Sequence, residues 1–417
     1  MFRRESDPAL FGPSLSEVVP PEHEVWVLRE LVERMFASTF RSRCTDYGGV
    51  PYDPARLLSV VMYGFMNGVH STRGLESACR YDVRFWVLTG QTVPDHNTIH
   101  RFLCRMRDLL PQMMATVSDE ARSKGLLRMR VVAVDGTKVA ANVSAWHNMV
   151  SLLTEDEEPA LQKDRKGRVF RGFNGQLAVD ADSGMIVGEA LMPDATDQHA
   201  MPDVLASIER TTGTRPDVVI ADKGYDSGST HTLLADKGVL GIVIPQGKSA
   251  SFWKLNEKDE PVCPRGFVPV RKGGYRRKEQ RWLRFVVRQC KGCPLQVQCG
   301  SRSGKTIYVP EGTRIADRIR NAARFEEEEI QKLARTRGPT VELLFARLKA
   351  RYGITRFSYR QRSKAHAQFR IFCLAENIRR LLRAIFGFEF TVQAIYNGLW
   401  HRLKLRQAFH RPRFTSP

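Results

Sequence analysis

Two stretches of the sequence each run an apolar, strand-like segment directly into an aspartate. In the first, from Arg130 to Ser144, valines at positions 131, 132 and 134 lead to Asp135, and a Gly-Thr turn follows. β-Branched residues are typical of a strand, and a buried carboxylate is unfavourable unless it is paired or bound to a metal. Taken alone, this stretch is explained equally well by a strand that ends in an ordinary Asp-Gly turn.

The second stretch, from Pro216 to Ser227, repeats the arrangement. Here Val218, Val219 and Ile220 lead to Asp222, and Lys-Gly-Tyr follows. Two strands of one sheet that each end at an aspartate place the two carboxylates together at the sheet edge. Because carboxylates at close range repel each other unless a cation lies between them, the recurrence predicts a divalent metal ion at this edge.

A third carboxylate is predicted on an amphipathic helix that begins near Gly338-Pro339. The apolar residues follow the i, i+3, i+4, i+7 spacing of a helix, and they are Val341, Leu344, Phe345 and Leu348. Glu342 lies within this pattern, so we expect the core to fix its position. Lys349 follows seven residues later, nearly two helical turns, so both side chains project from one side.

Other acidic or ligand-capable residues are weaker candidates for the site. The run 326–329 offers four glutamates in a charge-rich helix without an apolar flank, which favours a solvated surface. Asp194, Asp197 and His199 lie at the junction between a loop and a helix predicted over 197–209. Helix capping is the favoured role for these three.

These motifs resemble those of the DDE transposases of bacterial insertion sequences, which have an RNase H-like core. The motifs are VDGTK around Asp135, ADKGYDS around Asp222, and Glu342 followed by Lys349 on a basic helix. The segment 55–102 is similar to the N-terminal helical domain of such transposases, and FNGQLAVDADSGMIVGEALMPDATDQH is similar to the strands between their two aspartates. In related elements a Tyr and an Arg precede the Glu; here Arg337 is the only match, and no Tyr lies nearby.

The resemblance implies an α/β fold: an RNase H-like mixed sheet flanked by helices, with an N-terminal all-helical domain and a small Cys-rich insertion. It implies an enzyme that cleaves DNA at the ends of an insertion sequence and transfers the freed 3′-hydroxyl to target DNA. Two Mg²⁺ or Mn²⁺ ions about 4 Å apart would serve each active site, with Asp135, Asp222 and Glu342 as ligands. Arg337 and Lys349 would hold phosphates. A catalytically inactive DNA-binding derivative and a free-standing RNase H-like nuclease are the alternatives.

The charge balance of the chain points to a polyanionic partner. Across 417 residues, 65 Lys and Arg outnumber 45 Asp and Glu, which gives a net charge of +20 and a pI near 9.9. Nucleic acid is the simplest partner for such a chain. The longest apolar-leaning run, 57–69, is shorter than the ~20 residues that cross a bilayer, and the N-terminus lacks an apolar export core. We therefore expect a cytoplasmic protein, associated with the bacterial nucleoid when it is bound to DNA.

The N-terminal part is predicted to be helical. Helices are expected over 22–40, from Pro54 onward and around 75–88, with cap residues at 70–72. A further helix begins after Asp95, and its apolar face consists of Ile99, Phe102, Leu103 and Met106. Arg101 and Arg105 on the outer side suit a helix-turn-helix-like DNA reader. Packing as a scaffold or as a dimer surface is an equally good alternative.

The segment 247–311 interrupts the alternation of strands and helices, and we expect it to be an insertion. Four of the eight cysteines of the chain lie in it, namely Cys263, Cys290, Cys293 and Cys299. Cys290 and Cys293 form a C-x-x-C pair, which places two thiolates on one ion. Because disulfides are not expected without an export signal, the cluster predicts a structural Zn²⁺ site.

Two basic regions are predicted to contact DNA. The segment 271–284 combines seven basic residues with one Tyr and one Trp, which suits phosphate contacts and base stacking; an exposed β-hairpin with solvated charge is the alternative. The candidate DNA-binding residues here are Arg276, Arg277, Lys278 and Arg281. From Arg347 to Arg413, sixteen Lys and Arg accompany only two Glu, which predicts a basic surface beside the active site.

The chain is expected to divide into four segments. These are an N-terminal helical DNA-binding domain at 1–125, the first part of the catalytic core at 126–246, the basic Cys-rich insertion at 247–311, and at 312–417 the second part of the core with basic C-terminal helices. Because two transposon ends must be paired, we expect at least a homodimer on DNA.

Overall fold

The computed structural model of the protein describes residues 14–41, 52–143, 158–164, 166–246, 253–258, 260–277, 280–299 and 304–387. The N-terminal part is helical, as predicted. Its helices are α1 Leu15–Val18, α2 Glu24–Arg41, α3 Pro54–Met66, α4 Thr72–Tyr81, α5 Val83–Thr89, α6 His96–Met106 and α7 Leu110–Ser123.

Side-chain caps define where several of these helices begin. Ser71 caps α4 by accepting the backbone N–H of Gly74, and Asp95 caps α6 by accepting that of Thr98, as side-chain oxygens do at helix N-termini. The single helix expected over 75–88 is two helices, because Asp82 ends α4 and accepts the N–H of Arg84 as the cap of α5. A residue with a short carboxylate competes for backbone N–H groups and so starts a new helix here.

Six strands form the central mixed sheet within the described residues. They are β1 Val131–Ala140, β2 Ala160–Lys163, β3 Val169–Asp180, β4 Ile186–Met192, β5 Val218–Ala221 and β6 Leu240–Val243. Their order is β2-β3-β1-β5-β6, and β4 pairs with β3. β1 is antiparallel to β3 but parallel to β5, which is in turn parallel to β6. A turn over 180–184 joins β3 to β4, with Gly184 at a φ of +68° that suits glycine.

Helices flank this sheet. They are α8 Met201–Thr212, α9 Gly228–Asp236, α11 Ile315–Arg324, α12 Glu328–Arg335, α13 Leu343–Arg351 and α14 Arg362–Phe386. The N-terminal helices and the sheet share one hydrophobic core. Phe65 of α3 contacts Phe372 of α14 with ring centroids 5.0 Å apart, and Phe369 of α14 lies directly on Gly175 of β3. The long helix α14 therefore joins the N-terminal part to the sheet.

The segment between β6 and α11 forms sheets that are separate from the central one. β7 Lys254–Leu255 pairs with β8 Pro261–Val262, and β9 Val270–Arg277, β10 Gln280–Val287 and β11 Lys305–Pro310 form a three-stranded sheet. The short helix α10, Gln296–Cys299, precedes β11. A small hydrophobic cluster supports this segment, and it consists of Trp253, Val287, Cys290 and Ile319. The exposed β-hairpin considered for 271–284 is present as β9 and β10.

Several basic residues of the C-terminal helices support the fold. Glu376 is fully buried and accepts hydrogen bonds from Arg379 at 2.7 and 2.8 Å and from Arg380 at 3.0 Å. Glu189 of β4 is buried and accepts one from Arg370 at 2.6 Å. Because a buried carboxylate requires such partners, these arginines form ion pairs inside the protein. The predicted basic surface is therefore smaller than the count of basic residues suggested, and its part beyond Gly387 lies outside the described residues.

The apolar residues of α14 form part of the core. Phe369, Phe372, Leu374, Ile378 and Leu382 are buried, and Ile385 packs against the same core. None of the helices in the described part of the chain combines the length and the apolar character that a membrane span requires.

Candidate active site

Asp135 and Asp222 come from neighbouring parallel strands. Val134 of β1 is in register with Ala221 of β5, so the next residue along each strand is one of the two aspartates. Asp222 follows the last residue of β5, as predicted. Asp135 does not end its strand, because β1 continues to Ala140 through its antiparallel pairing with β3. The turn expected directly after Asp135 is therefore wrong, and so is the alternative of a strand that ends in an Asp-Gly turn. Asp135 projects from the middle of a strand.

Backbone N–H groups hold both carboxylates. Asp135 accepts the N–H of Gly136 at 2.8 Å, and Asp222 accepts that of Gly224 at 2.7 Å. Asp222 is thereby the cap of a 3₁₀ turn over Lys223–Tyr225. Each aspartate thus has a defined orientation before any ligand is bound.

Arg337 links the first aspartate to the predicted third carboxylate. Its Nη1 donates to Asp135 Oδ2 at 2.5 Å, and its Nη2 donates to Glu342 Oε1 at 3.4 Å. The side chains of Arg337 and Asp135 are only 13% and 16% exposed, whereas that of Glu342 is 59% exposed. The guanidinium therefore lies between Asp135 and Glu342, and it partly neutralises an acidic site.

Glu342 ends a π-helical turn, Gly338–Glu342, that separates α12 from α13. The sequence predicted that the helix begins at this glycine and proline, but the chain is already helical in α12. The apolar face is as predicted, since Val341, Leu344 and Leu348 are buried. The core fixes these neighbours of Glu342, while the carboxylate itself faces outward. π-Helical turns are rare in proteins, and those that occur are often found at functional sites.

Burial and charge act in opposite directions on Asp135. Burial raises the pKa of this carboxyl above its usual value, Arg337 and the N–H of Gly136 lower it, and the negative charge of Asp222 raises it again. Tyr225 is completely buried beside the site, and burial, followed by the charges of Asp197 and Asp135, raises the pKa of its phenol well above the usual value. Several carboxylates therefore lie close together at this site, where they are partly shielded from water.

The donor set fits a hard divalent cation. Asp135, Asp222 and Glu342 offer carboxylate oxygens, which Mg²⁺ and Mn²⁺ prefer, and the mutual repulsion of Asp135 and Asp222 is the kind that a cation relieves. As they lie, however, no three His, Cys, Asp or Glu side chains in the described parts of the chain are grouped closely enough to hold an ion.

Asp197 is a further carboxylate at the site, and helix capping does not account for it. The N-cap of α8 is Ala200, without a side-chain cap, and α8 begins at Met201. Asp197 Oδ1 instead accepts hydrogen bonds from Asn174 and Gln176 of β3, each at 2.7 Å. The expectation that Asp197 caps a helix is therefore wrong. Its sequence signal was indistinguishable from that of a cap, because the contact that defines it comes from a different strand.

The rival acidic run over 326–329 lies on the surface, in line with its interpretation from sequence. All four glutamates are exposed, and Glu328 pairs with Lys332 at 3.0 Å.

The other predicted DNA-binding residues lie on outer surfaces wherever the structure describes them. Arg101 and Arg105 are exposed on α6, Lys349 is exposed on α13, and Arg276 and Arg281 are exposed on the β9–β10 hairpin. Arg281 also pairs with Glu311 at 3.4 Å. Lys278 and the side chain of Arg277 lie outside the described residues.

The four cysteines of the insertion converge on one cavity. Cys263, Cys290, Cys293 and Cys299 all line it, together with Trp253 and Phe267. Burial raises the pKa of the Cys299 thiol; Lys305 opposes this, and the other three cysteines add to it. The cysteines that the structure describes are free thiols.

These features define an α/β protein whose mixed sheet, flanked by helices, brings two aspartates together. An arginine connects one of the two aspartates to a glutamate. Residues 127–378, more than half of the chain, match the family model of the transposase DDE domain. Residues 13–105 match a second model, described as a transposase domain (DUF772). A comparison with curated proteins finds no match. The chain belongs to the DDE transposases of insertion sequences, with an RNase H-like fold and an N-terminal helical region.

Proposed function

We propose that this transposase cleaves DNA at the ends of its insertion sequence and joins the freed 3′-hydroxyl to target DNA in the same active site. The observation that carries the proposal is the register of β1 with β5, which brings Asp135 beside Asp222. The contact of Arg337 with both Asp135 and Glu342 adds the third acidic residue to the same neighbourhood.

Asp135, Asp222 and Glu342 would hold Mg²⁺ or Mn²⁺. When bound, such ions make the attacking water or hydroxyl more nucleophilic and stabilise the leaving oxygen. The chain itself supplies the positions of the carboxylates: Asp135 from a strand that is paired on both sides, and Asp222 from a capped turn. Glu342 is the exposed member, and it would complete the site when DNA and metal bind.

Arg337 and Lys349 are proposed to hold phosphates near the bond that is cut. Arg337 already lies at the carboxylates, and its planar fork suits a phosphate as well as a carboxylate. Lys349 is exposed on α13, and its position seven residues after Glu342 places both residues on one side of the helix. Lys223, exposed next to Asp222, is a further candidate.

The outer basic residues would bind DNA away from the bond that is cut. Arg101 and Arg105 on α6 would contact transposon ends. On the β9–β10 hairpin, the phosphate backbone of the DNA would be contacted by Arg276 and Arg281, together with Arg277 and Lys278. Phosphate contacts of this kind contribute to affinity and depend on salt. The segments 1–125, 126–246, 247–311 and 312–417 remain our proposed division, and at least a dimer would pair two ends.

A structural Zn²⁺ site is proposed for Cys263, Cys290, Cys293 and Cys299. All four line one cavity, and four thiolates are a common ligand set of structural zinc. As they lie, no three of them are grouped closely enough to hold an ion, so binding would draw them together. The small hydrophobic cluster around Trp253 gives the insertion a limited core, and small units of this size commonly depend on a bound metal.

The substitution Asp135→Asn tests the function. With DNA that carries the element's ends and with Mg²⁺ or Mn²⁺, we expect the variant to lose strand cleavage and strand transfer but to bind DNA as the wild type does. Asp203→Asn, at an exposed position of α8, is the matched control and should stay active. Cleavage that persists in Asp135→Asn contradicts the proposal. Binding without cleavage by the wild type would indicate an inactive derivative, and cleavage of DNA without ends would indicate a general nuclease.

A further inference from the structure

The carboxylate of Asp197 is fastened to the strand next to the one that carries Asp135. Its Oδ1 accepts hydrogen bonds from Asn174 Nδ2 and Gln176 Nε2, each at 2.7 Å. In the pairing of β1 with β3, Gln176 lies opposite Gly136, and Asn174 lies opposite Lys138. Asp197 thus reaches from the loop before α8 to the part of the sheet that surrounds Asp135.

The same carboxylate is wedged between the glycines of the two aspartate motifs. A Cβ on Gly136, the residue after Asp135, would be 2.5 Å from Asp197 Oδ1. A Cβ on Gly224, two residues after Asp222, would be 3.0 Å from Asp197 Oδ2 and 2.9 Å from Asp222 Oδ1. Glycine at both positions leaves room for this approach, so Asp197 is a neighbour that the two motifs share.

A second connection runs through Gln176. The hydroxyl of Tyr225 donates to Gln176 Oε1, while Gln176 Nε2 donates to Asp197. Tyr225 directly follows Gly224 and is fully buried. The turn that carries Asp222 is therefore tied to Asp197 twice, by direct packing on Gly224 and by the hydrogen bonds that pass through Gln176.

We propose that Asp197 is a positioning residue, whose carboxylate fixes the backbone after Asp135 and after Asp222 and so sets the separation of the two catalytic aspartates. This role rests on the proposed function, because the separation matters for two carboxylates that act on one DNA phosphate. Small displacements of such groups are costly: a shift of about 1 Å can lower a rate by roughly 100-fold.

The contacts distinguish positioning from a role that needs negative charge. The hydrogen bonds that Asp197 accepts come from two neutral amides, and the two residues packed against its carboxylate are glycines. Asparagine has the same shape and retains one oxygen that accepts both amide N–H groups. Asp197→Asn should therefore preserve the geometry, whereas Asp197→Ala removes it.

The test compares four full-length proteins: wild type, Asp197→Asn, Asp197→Ala and the control Asp194→Ala. Asp194 is exposed in the same loop, three residues earlier. Single-turnover cleavage of end-bearing DNA gives the rate of chemistry and the affinity for DNA separately. We expect Asp197→Ala to be slower by roughly 10- to 100-fold at unchanged DNA affinity, and Asp197→Asn and Asp194→Ala to stay within about threefold of wild type.

Amide hydrogen exchange is measured on the same proteins without DNA. We expect faster exchange in Asp197→Ala at the segments around Gly136 and Gly224, and wild-type exchange there in Asp197→Asn. If Asp197→Ala does not fold, Asn174→Ala replaces it, since it removes one of the two side-chain N–H groups that hold the Asp197 carboxylate, at 2.7 Å, and leaves the carboxylate in place. A loss of rate in the same direction is expected.

Two results overturn the role of Asp197. One is an Asp197→Ala protein with wild-type rate and exchange. The other is an Asp197→Asn protein as slow as Asp197→Ala, which would mean that the reaction depends on the negative charge of Asp197 and not on its hydrogen bonds. If the wild type cleaves no DNA, the proposed function fails, and the exchange measurement still decides whether Asp197 holds the two turns.

Discussion

Arg337 donates a hydrogen bond to the carboxylate of Asp135 at 2.5 Å. Its positive charge therefore lies beside the aspartate that neighbours Asp222 on the paired strands. Both side chains of this ion pair are largely buried. The pair joins the π-helical turn before α13 to the centre of the sheet. It therefore connects a segment late in the chain to the strand on which the active site is built.

The first prediction concerns the stability of this arrangement. Arg337→Ala leaves the Asp135 carboxylate desolvated and next to Asp222 without its guanidinium partner. A hydrogen bond to a charged group contributes about 2 kcal/mol, so we expect a loss of that size in the free energy of unfolding in metal-free buffer, measured with urea. Arg335→Ala, at an exposed position of α12, should change it by less than about 0.5 kcal/mol. Equal stability of the two variants would contradict the prediction.

Apolar runs in the sequence predicted the two neighbouring strands that lead to the aspartates, but not the order of the strands in the central sheet. The apolar runs before Asp135 and Asp222 are β1 and β5. The end of β1 was not predictable from local residues. Asp-Gly is a frequent turn sequence, but pairing with β3 carries β1 five residues beyond Asp135 to Ala140. Long-range pairing here outweighs the local preference.

Site residues were predictable where the sequence around them indicates their role. They were less predictable where a contact with a distant segment of the chain determines that role. Asp135, Asp222 and Glu342 were proposed from their flanking apolar residues. Asp197 was assigned to a helix cap, because nothing within its own loop indicates the amides of β3 that hold it. The basic C-terminal helices were likewise overestimated as a surface, because the buried Glu376 that engages several of their arginines lies on the same helix.

The second prediction concerns divalent ions. A ligand that binds only the folded state stabilises it, by about 2.7 kcal/mol at 100 times its dissociation constant. We expect Mg²⁺ or Mn²⁺ to raise the thermal midpoint of the wild type by a few degrees. Asp135→Asn should lose most of the rise, and Asp203→Asn should keep it. Sodium chloride at the same ionic strength is the control for screening, and a rise that is equal in all three proteins would exclude binding at Asp135.

The third prediction concerns the cysteines of the insertion. Protein prepared without chelators should contain one zinc ion per chain by elemental analysis. Cys293→Ser should lose it, because a structural zinc site needs its full set of ligands. Cys104→Ser removes an exposed thiol of α6 and should leave the zinc content unchanged. Zinc-free wild type, or a Cys293→Ser protein that retains zinc, would disprove the site.

The fourth prediction concerns acid stability and rests on Asp226, four residues after Asp222. Its carboxylate accepts hydrogen bonds from Arg318 at 2.8 and 3.1 Å, from the backbone of Gln246 at 2.7 Å, and contacts His231 at 2.7 Å. Burial alone would raise the pKa of Asp226, but the hydrogen bonds from His231 and Arg318 outweigh it and lower the pKa from 3.8 to about 2.

Because the pKa of Asp226 is lower in the folded state than in the unfolded state, its contribution to stability is complete above about pH 4 and is lost as the pH falls towards about 2. The shift corresponds to about 2 kcal/mol. Asp226→Asn should therefore be less stable than the wild type at pH 7, and the difference in unfolding free energy should shrink by about 2 kcal/mol towards pH 2. Urea denaturation at several pH values measures this, with Asp203→Asn as the exposed control. A difference that stays constant with pH would mean that the ion pair of Asp226 does not carry the acid sensitivity of this part of the fold.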